Sequence, residues 1–217
     1  MARPRTFDND TVLDAAVGCF WRHGLEGTSV RELAHEMGLS GPSLYNAFGD
    51  KRALFMQALE RYASTVLRER IGRLEAMTSP AAAIEAFFEE LIDRSLGDPE
   101  RRGCLLINSA LEAAPHDPEI AKVVSTYFAE IESFLRTRIE VAQMAGEVPA
   151  TLDAADMGRL LLGVLIAIRV LARTGAERKQ LAGMARPALD LLGRRAWATL
   201  GAGGGATEGS ATVMPDS

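Results

Sequence analysis

The chain has 217 residues, 47% of them hydrophobic and 24% charged, with a formal net charge of −5. That length allows one domain or two small ones, and that apolar share is enough for a sizeable core. The acidic balance, taken over the whole chain, argues mildly against nucleic-acid binding, so any positive surface has to be local. Two cysteines, Cys19 and Cys104, do not make a disulfide framework, and Met-Ala-Arg-Pro-Arg followed by polar residues contains no signal-peptide core. The longest apolar run, Leu160 to Ile168, is broken by Arg169 and is too short to span a bilayer. A soluble, cytoplasmic, all-α protein is expected, since Ala, Leu, Glu and Arg dominate while β-branched runs and turn clusters are scarce.

Residues 1–7 form a polar arm whose Arg3 and Arg5 could follow a DNA backbone or enter a minor groove, or could belong to a disordered tail. A first helix is expected from about Asp8–Asp10 to His23, with Val12, Ala15, Ala16, Cys19 and Phe20 as its apolar stripe and Gly24 as its stop. Cys19 reads there as a small buried hydrophobe.

The stretch from Thr28 to Lys51 reads as two short helices joined by a tight turn. Thr28 or Ser29 can cap the first, and Glu32 stands at capping-box spacing from Ser29. Val30, Leu33, Ala34 and Met37 fall on one face, and Gly38 ends the helix in a left-handed conformation. Ser40 can cap again, and Pro42 fits the opening turn of the second helix. Leu44, Ala47 and Phe48 can pack back, leaving Ser43, Tyr45 and Asn46 pointing away. A short helix with a small polar face is what a major groove admits.

A long helix is expected from Lys51 to about Met77. Leu54, Phe55, Ala58, Leu59 and Tyr62 would face the small domain, with Val66, Leu67, Ile71 and Leu74 continuing the stripe. Thr78-Ser79-Pro80 opens another helix, with Ala83, Phe87, Leu91 and Ile92 inside, and Gly97-Asp98-Pro99 closes it. A further helix begins near Gly103, and a loop at Pro115 to Pro118 precedes a long one to about Ala145. Asp153 can cap a helix from Ala154 to about Arg173 that is apolar on nearly every side, so it is either central or covered by a partner chain. A last helix from Glu177 to Leu200 should kink at Pro187. Residues 201–217 read as a disordered tail.

The run from Ala15 to Leu54 resembles the DNA-binding domain of the TetR/AcrR family of bacterial regulators. The resemblance is carried by Ala16 and Phe20, His23-Gly24, Thr28-Ser29-Val30, Leu33-Ala34, Gly38-Leu39-Ser40, Leu44-Tyr45, Phe48, Lys51 and Leu54. It implies a three-helix DNA-reading head, residues 1–54 with the helix-turn-helix at about 28–48. It also implies a helical ligand-sensing and dimerisation body, residues 55–200. Positions where relatives touch DNA fall on Ser40, Gly41, Pro42, Ser43, Tyr45, Asn46 and Lys51, with Thr28 and Ser29 at a phosphate-facing helix start. Physically, a hydroxyl or a helix N-terminus can bind phosphate, Lys51 and Arg52 add charge, and Ser43 and Asn46 are best placed for base edges. Gly41-Pro42 departs from the basic or small flexible residues of many relatives. The resemblance further implies a homodimer through the last two helices, a repressor on a palindromic operator released by a small ligand or by modification of Cys104.

Cys104 follows Arg101-Arg102-Gly103 at an expected helix start, a setting that favours a thiolate, and the run Gly103 to Glu112 is similar to a segment of a subset of these regulators in which the cysteine senses electrophiles or metals. A buried structural cysteine is the plainer alternative. If the body is hollow, as the resemblance implies, some of Phe87, Phe88, Leu91, Tyr127, Phe128 and Phe134 line a cavity for a small apolar ligand, with Cys104, Asn108, Phe88 and Phe128 as the candidate sensor residues. No cofactor or metal site is indicated: His23, His35 and His116 lie on unrelated segments, and Glu112, His116 and Asp117 make at best a solvated turn. An unregulated helical interaction module and an enzyme using the body's cavity are the competing readings.

Overall fold

The computed structural model describes residues 9–193, and every regular element among them is helical. The arm with Arg3 and Arg5, the end of the last expected helix and the tail at 201–217 lie outside the described residues. No helix of the described residues is long and apolar enough to cross a membrane.

Three short helices make the head: α1 (Asn9–Gly27), α2 (Val30–Glu36) and α3 (Gly41–Phe48). Gly24 interrupts α1 as expected, but the chain adds one further helical turn before α2. Between α2 and α3, Gly38 takes φ 64°. Its N–H donates to the His35 carbonyl and the Leu39 N–H to the Ala34 carbonyl, the paired bonds that close a helix on a left-handed residue. Phe20 of α1 stands edge-on to Phe55, with ring centroids 5.0 Å apart. Leu33, Leu44 and Phe48 close the same small core. Ala47, expected to pack back, is exposed.

A helical rod leaves the head as α4 (Lys51–Tyr62) and ends as α5 (Glu69–Glu75). Between them, Ala63–Arg68 form a π-helical stretch, which the sequence stripe did not announce. Such stretches are rare and recur at functional sites. The body completes itself with α6 (Pro80–Leu96), α7 (Leu105–Glu112), α8 (Pro118–Met144), α9 (Ala154–Arg173) and α10 (Arg178–Asp190). Ser79, Asp117 and Asp153 cap α6, α8 and α9 through their side-chain oxygens. Pro187 lies within α10. Leu161, Leu165 and Ile168 of α9 are buried inward, while Leu160, Val170 and Leu171 are exposed on its outer side.

Candidate nucleic-acid interface and the cavity behind it

The reading face is built from caps. Ser29 Oγ accepts the Glu32 N–H at 3.1 Å, and Ser40 Oγ accepts the Ser43 N–H at 3.2 Å. Each cap satisfies a donor that a helix start would otherwise leave bare. The Glu32 carboxylate does not complete a capping box; it lies 3.1 Å from His23 Nε2. Pro42, Ser43, Tyr45 and Asn46 are exposed, Tyr45 by half. The Ser43 hydroxyl is 2.7 Å from that of Ser40, so the two serines hold one another at the helix start. Gly41 has open space where a Cβ would sit. Lys51 is half-buried at the start of α4, where Asp50 is the cap.

Two expectations fail here. Thr28 is 1% exposed and its hydroxyl donates to the Gly24 carbonyl at 2.6 Å, so its side chain braces the α1–α2 corner instead of facing phosphate. Arg52 is not free charge for DNA either. Its Nε and Nη2 donate to Asp117 at 2.5 and 2.9 Å, and Nη2 also donates to Glu119. The bonds to Arg52 hold the Asp117 carboxyl well below the usual carboxylate range. The loop that the sequence presented as a solvated turn is therefore the tie between the head and α8.

Behind the head, Tyr62, Val66 and Leu67 of the rod face Phe87, Leu91, Leu106, Ile131 and Leu165 across a cavity of about 40 Å³. Cys104 lines it from the N-cap position of α7. Its Sγ accepts from the buried Tyr62 hydroxyl at 3.6 Å, and burial pushes the Tyr62 phenol well up. The arginines expected beside the thiol are turned elsewhere. Arg102 donates to Asp98 and lays its guanidinium 4.4 Å over Trp21, while Arg101 lies against Gly175.

Of the other candidate lining residues, Phe87 and Leu91 border this cavity, and Asn108 lines a separate pocket between head and body with Trp21 and Phe55. Phe88 is completely buried and forms part of the packed core, and Phe128 packs against that core; neither borders the Cys104 cavity. Asn108 is a clamp. Its Nδ2 donates to the Arg102 carbonyl and its Oδ1 accepts from Arg173, both at 2.9 Å. Sequence reasoning missed Arg70 and Arg169, which border the cavity and are buried. The available signal was positional: Arg70 lies on the stripe between Leu67 and Leu74, and Arg169 interrupts the apolar run of α9.

Residues 12–58 match the family described as bacterial regulatory proteins, tetR family, and residues 80–187 match the tetracyclin repressor-like C-terminal domain. The HTH-type transcriptional regulator YezE of Bacillus subtilis (strain 168) is 33% identical over 183 residues, 83% of this chain and 94% of its own. The HTH-type transcriptional repressor ComR of Escherichia coli (strain K12) is 29% identical over 190 residues, 87% of this chain and 90% of its own. Among solved structures, a cysteine mutant of the TetR family regulator CifR, complexed with 26 bp double-strand operator DNA, superposes with a TM-score of 0.78. It is 31% identical, covering 87% of this chain and 98% of that one.

Proposed function

The chain belongs to the TetR family of bacterial regulatory proteins, and we propose that it is a ligand-responsive repressor that acts from the cytoplasm on a palindromic operator. Regulators of this family work by binding, not by catalysis. The observation that carries the reading is the face of α3. Pro42, Ser43, Tyr45 and Asn46 stand exposed on a helix whose other side, Leu44 and Phe48, is locked into the head. Ser43 and Asn46 are assigned to base edges, Asn46 because its amide pairs with adenine. Tyr45, Lys51, Ser40 and the helix start at Ser29 are assigned to phosphate, and Gly41 lets the backbone approach closely. The likeness to CifR, solved on its operator, supports this reading.

Two heads are needed for two half-sites. The outer side of α9 offers Leu160, Gly163, Val170 and Leu171, and Pro187 of α10 and Leu191 just after its end are exposed as well. These spacings form apolar stripes that suit a four-helix interface between two copies. In our reading a small ligand in the cavity, or modification of Cys104, shifts the π-helical part of the rod. The head spacing then no longer fits the operator.

The test is a gel shift with DNA flanking the protein's own coding sequence in excess nonspecific competitor, then genome-wide site selection with the wild-type protein. A specific shift that Tyr45→Ala abolishes supports the reading. No specific site in either format overturns it. The inducer arm is separate: if no small molecule and no cysteine-directed reagent changes operator affinity, repression stands and the switch falls.

A further inference from the structure

The cavity beside Cys104 is apolar along most of its wall and cationic at one end. Arg70 of α5 and Arg169 of α9 supply the charge, at 6% and 7% exposure. A guanidinium so deeply buried is ordinarily matched by a carboxylate, because an unmatched charge in an apolar interior is costly. Neither arginine has that match in full. Arg70 lays its guanidinium 4.1 Å over the Phe87 ring, and Nη2 donates to the Phe87 carbonyl. Its Nε lies 3.2 Å from Glu90 Oε2, yet that buried nitrogen makes no hydrogen bond. Glu90 is meanwhile gripped by the exposed Arg73 through bonds of 2.9 and 2.7 Å, so one carboxylate serves two guanidiniums. Arg169 donates to the Ser95 hydroxyl at 3.2 Å, and no carboxylate lies within ion-pair distance of it among the described residues.

The imbalance is felt on Arg70, whose pKa is pushed down to about 10, by burial first and by repulsion from Arg169 besides, against the pull of Glu90. Val66 and Arg169 border an outer groove as well, together with Arg94 and Arg102. Arg94 is exposed, and Asp98 in the same groove is already bonded to Arg102.

We propose that this cavity is a binding site for a small organic anion, a carboxylate with a short apolar body, its oxygens seated between Arg70 and Arg169. Guanidinium presents paired donors that fit a carboxylate edge, and Leu67, Leu106 and Leu165 cover the hydrocarbon part. A cavity of about 40 Å³ has room for about three water-sized spheres, so it admits acids of a few heavy atoms and excludes longer ones. Bound there, the acid bridges α5 and α9 beside the π-helical stretch. Its role as inducer rests on the repressor reading; the site itself does not. The unmatched arginines are a stability cost in the empty protein that the ligand offsets.

The experiment uses the full-length protein without DNA. Formate, acetate and propionate are titrated by calorimetry and by thermal unfolding, against formamide, acetamide and propionamide. At least one acid should bind and raise Tm, with its amide at least tenfold weaker. Arg169→Met should unfold at the wild-type temperature or above when empty, and bind the acid at least tenfold more weakly. A brace with no ligand role gives the opposite: a lower Tm and no acid response to lose. Arg169→Lys is the second variant, keeping charge without the fork, and should bind with intermediate affinity. Absence of acid binding in the wild type, equal binding of amides, or undiminished binding in both variants overturns the proposal. Adding labelled operator separates the two readings. Acid binding without operator release supports the site and removes only its inducer role. Operator binding with no acid binding removes the site and leaves the repressor.

Discussion

In the head, Thr28 is the one buried polar side chain among the described residues, and it answers a backbone carbonyl four residues away. In the body, Arg70, Ser95, Asn108, Ser109 and Arg169 are all buried, and two of them carry charge. The head keeps its polar chemistry on the surface, at the start of α3, where a large partner can reach it. The body places its polar chemistry inside, where only a small partner can. Each region is thus dry where the other is polar, and the same contrast separates mutations that unfold from mutations that deafen.

The contrast breaks first at Phe20. Phe20→Ala empties a fully buried ring site against Phe55 and should cost about 3–5 kcal/mol. Thermal unfolding measures the loss, and operator binding should vanish with the head's fold. Tyr45→Ala sharpens the contrast, because the ring is half exposed. Its stability should stay within about 0.5 kcal/mol of wild type, while operator affinity falls by about tenfold or more, a 1.4 kcal/mol effect. A drop in Tm of several degrees would assign Tyr45 to the head's packing and remove it from the reading face. Ser40→Ala removes the cap of α3 and should cost about 1 kcal/mol, against a few tenths for Ser40→Gly. Equal losses in denaturant melts would show that the bond, absent from both variants, accounts for the loss and that the backbone preference at this position does not.

The smallest expected effect concerns the tie between the two regions. The Asp117 pKa is depressed in the fold by its bonds to Arg52. Its stabilisation is therefore complete above the unfolded value, about 3.9, and is lost as pH falls through the folded value. Asp117→Asn should retain the α8 cap, since Asn caps about as well as Asp. Acid titration of stability should then be shallower in the variant below about pH 4. Identical acid limbs would dismiss the tie as a stabilising contact.

The head was legible because its signals are local. Ser29, Gly38, Ser40 and Pro42 act on their own helix ends, within four residues along the chain, and a sequence displays such spacings directly. Thr28 was misread for want of one fact: that α1 continues past Gly24 and encloses it. In the body the helices were legible from Pro80, Asp117, Asp153 and their apolar stripes, but the cavity was not. Arg70 and Arg169 are 99 residues apart in sequence, and only the packing of α6 against both α5 and α9 brings their charges to one space. Phe88 and Phe128 were chosen by residue type, which cannot tell a packed wall from a cavity wall. The neighbours of Cys104 failed for the same reason: Arg101 and Arg102 are adjacent in sequence and directed elsewhere in space.

The corner where Arg52 meets Asp117 and Glu119 has a bearing on how operator affinity is to be measured. Its side chains are partly open to water, so added electrolyte weakens their attraction. Added electrolyte also weakens any grip on phosphate through counterion release. A plot of log affinity against log salt therefore sums two slopes, one from the DNA and one from a joint inside the protein. Counting phosphates from the total would give too many. Repeating the plot with Asp117→Asn removes the Asp117 share of the joint and leaves the Arg52–Glu119 pair beside the duplex.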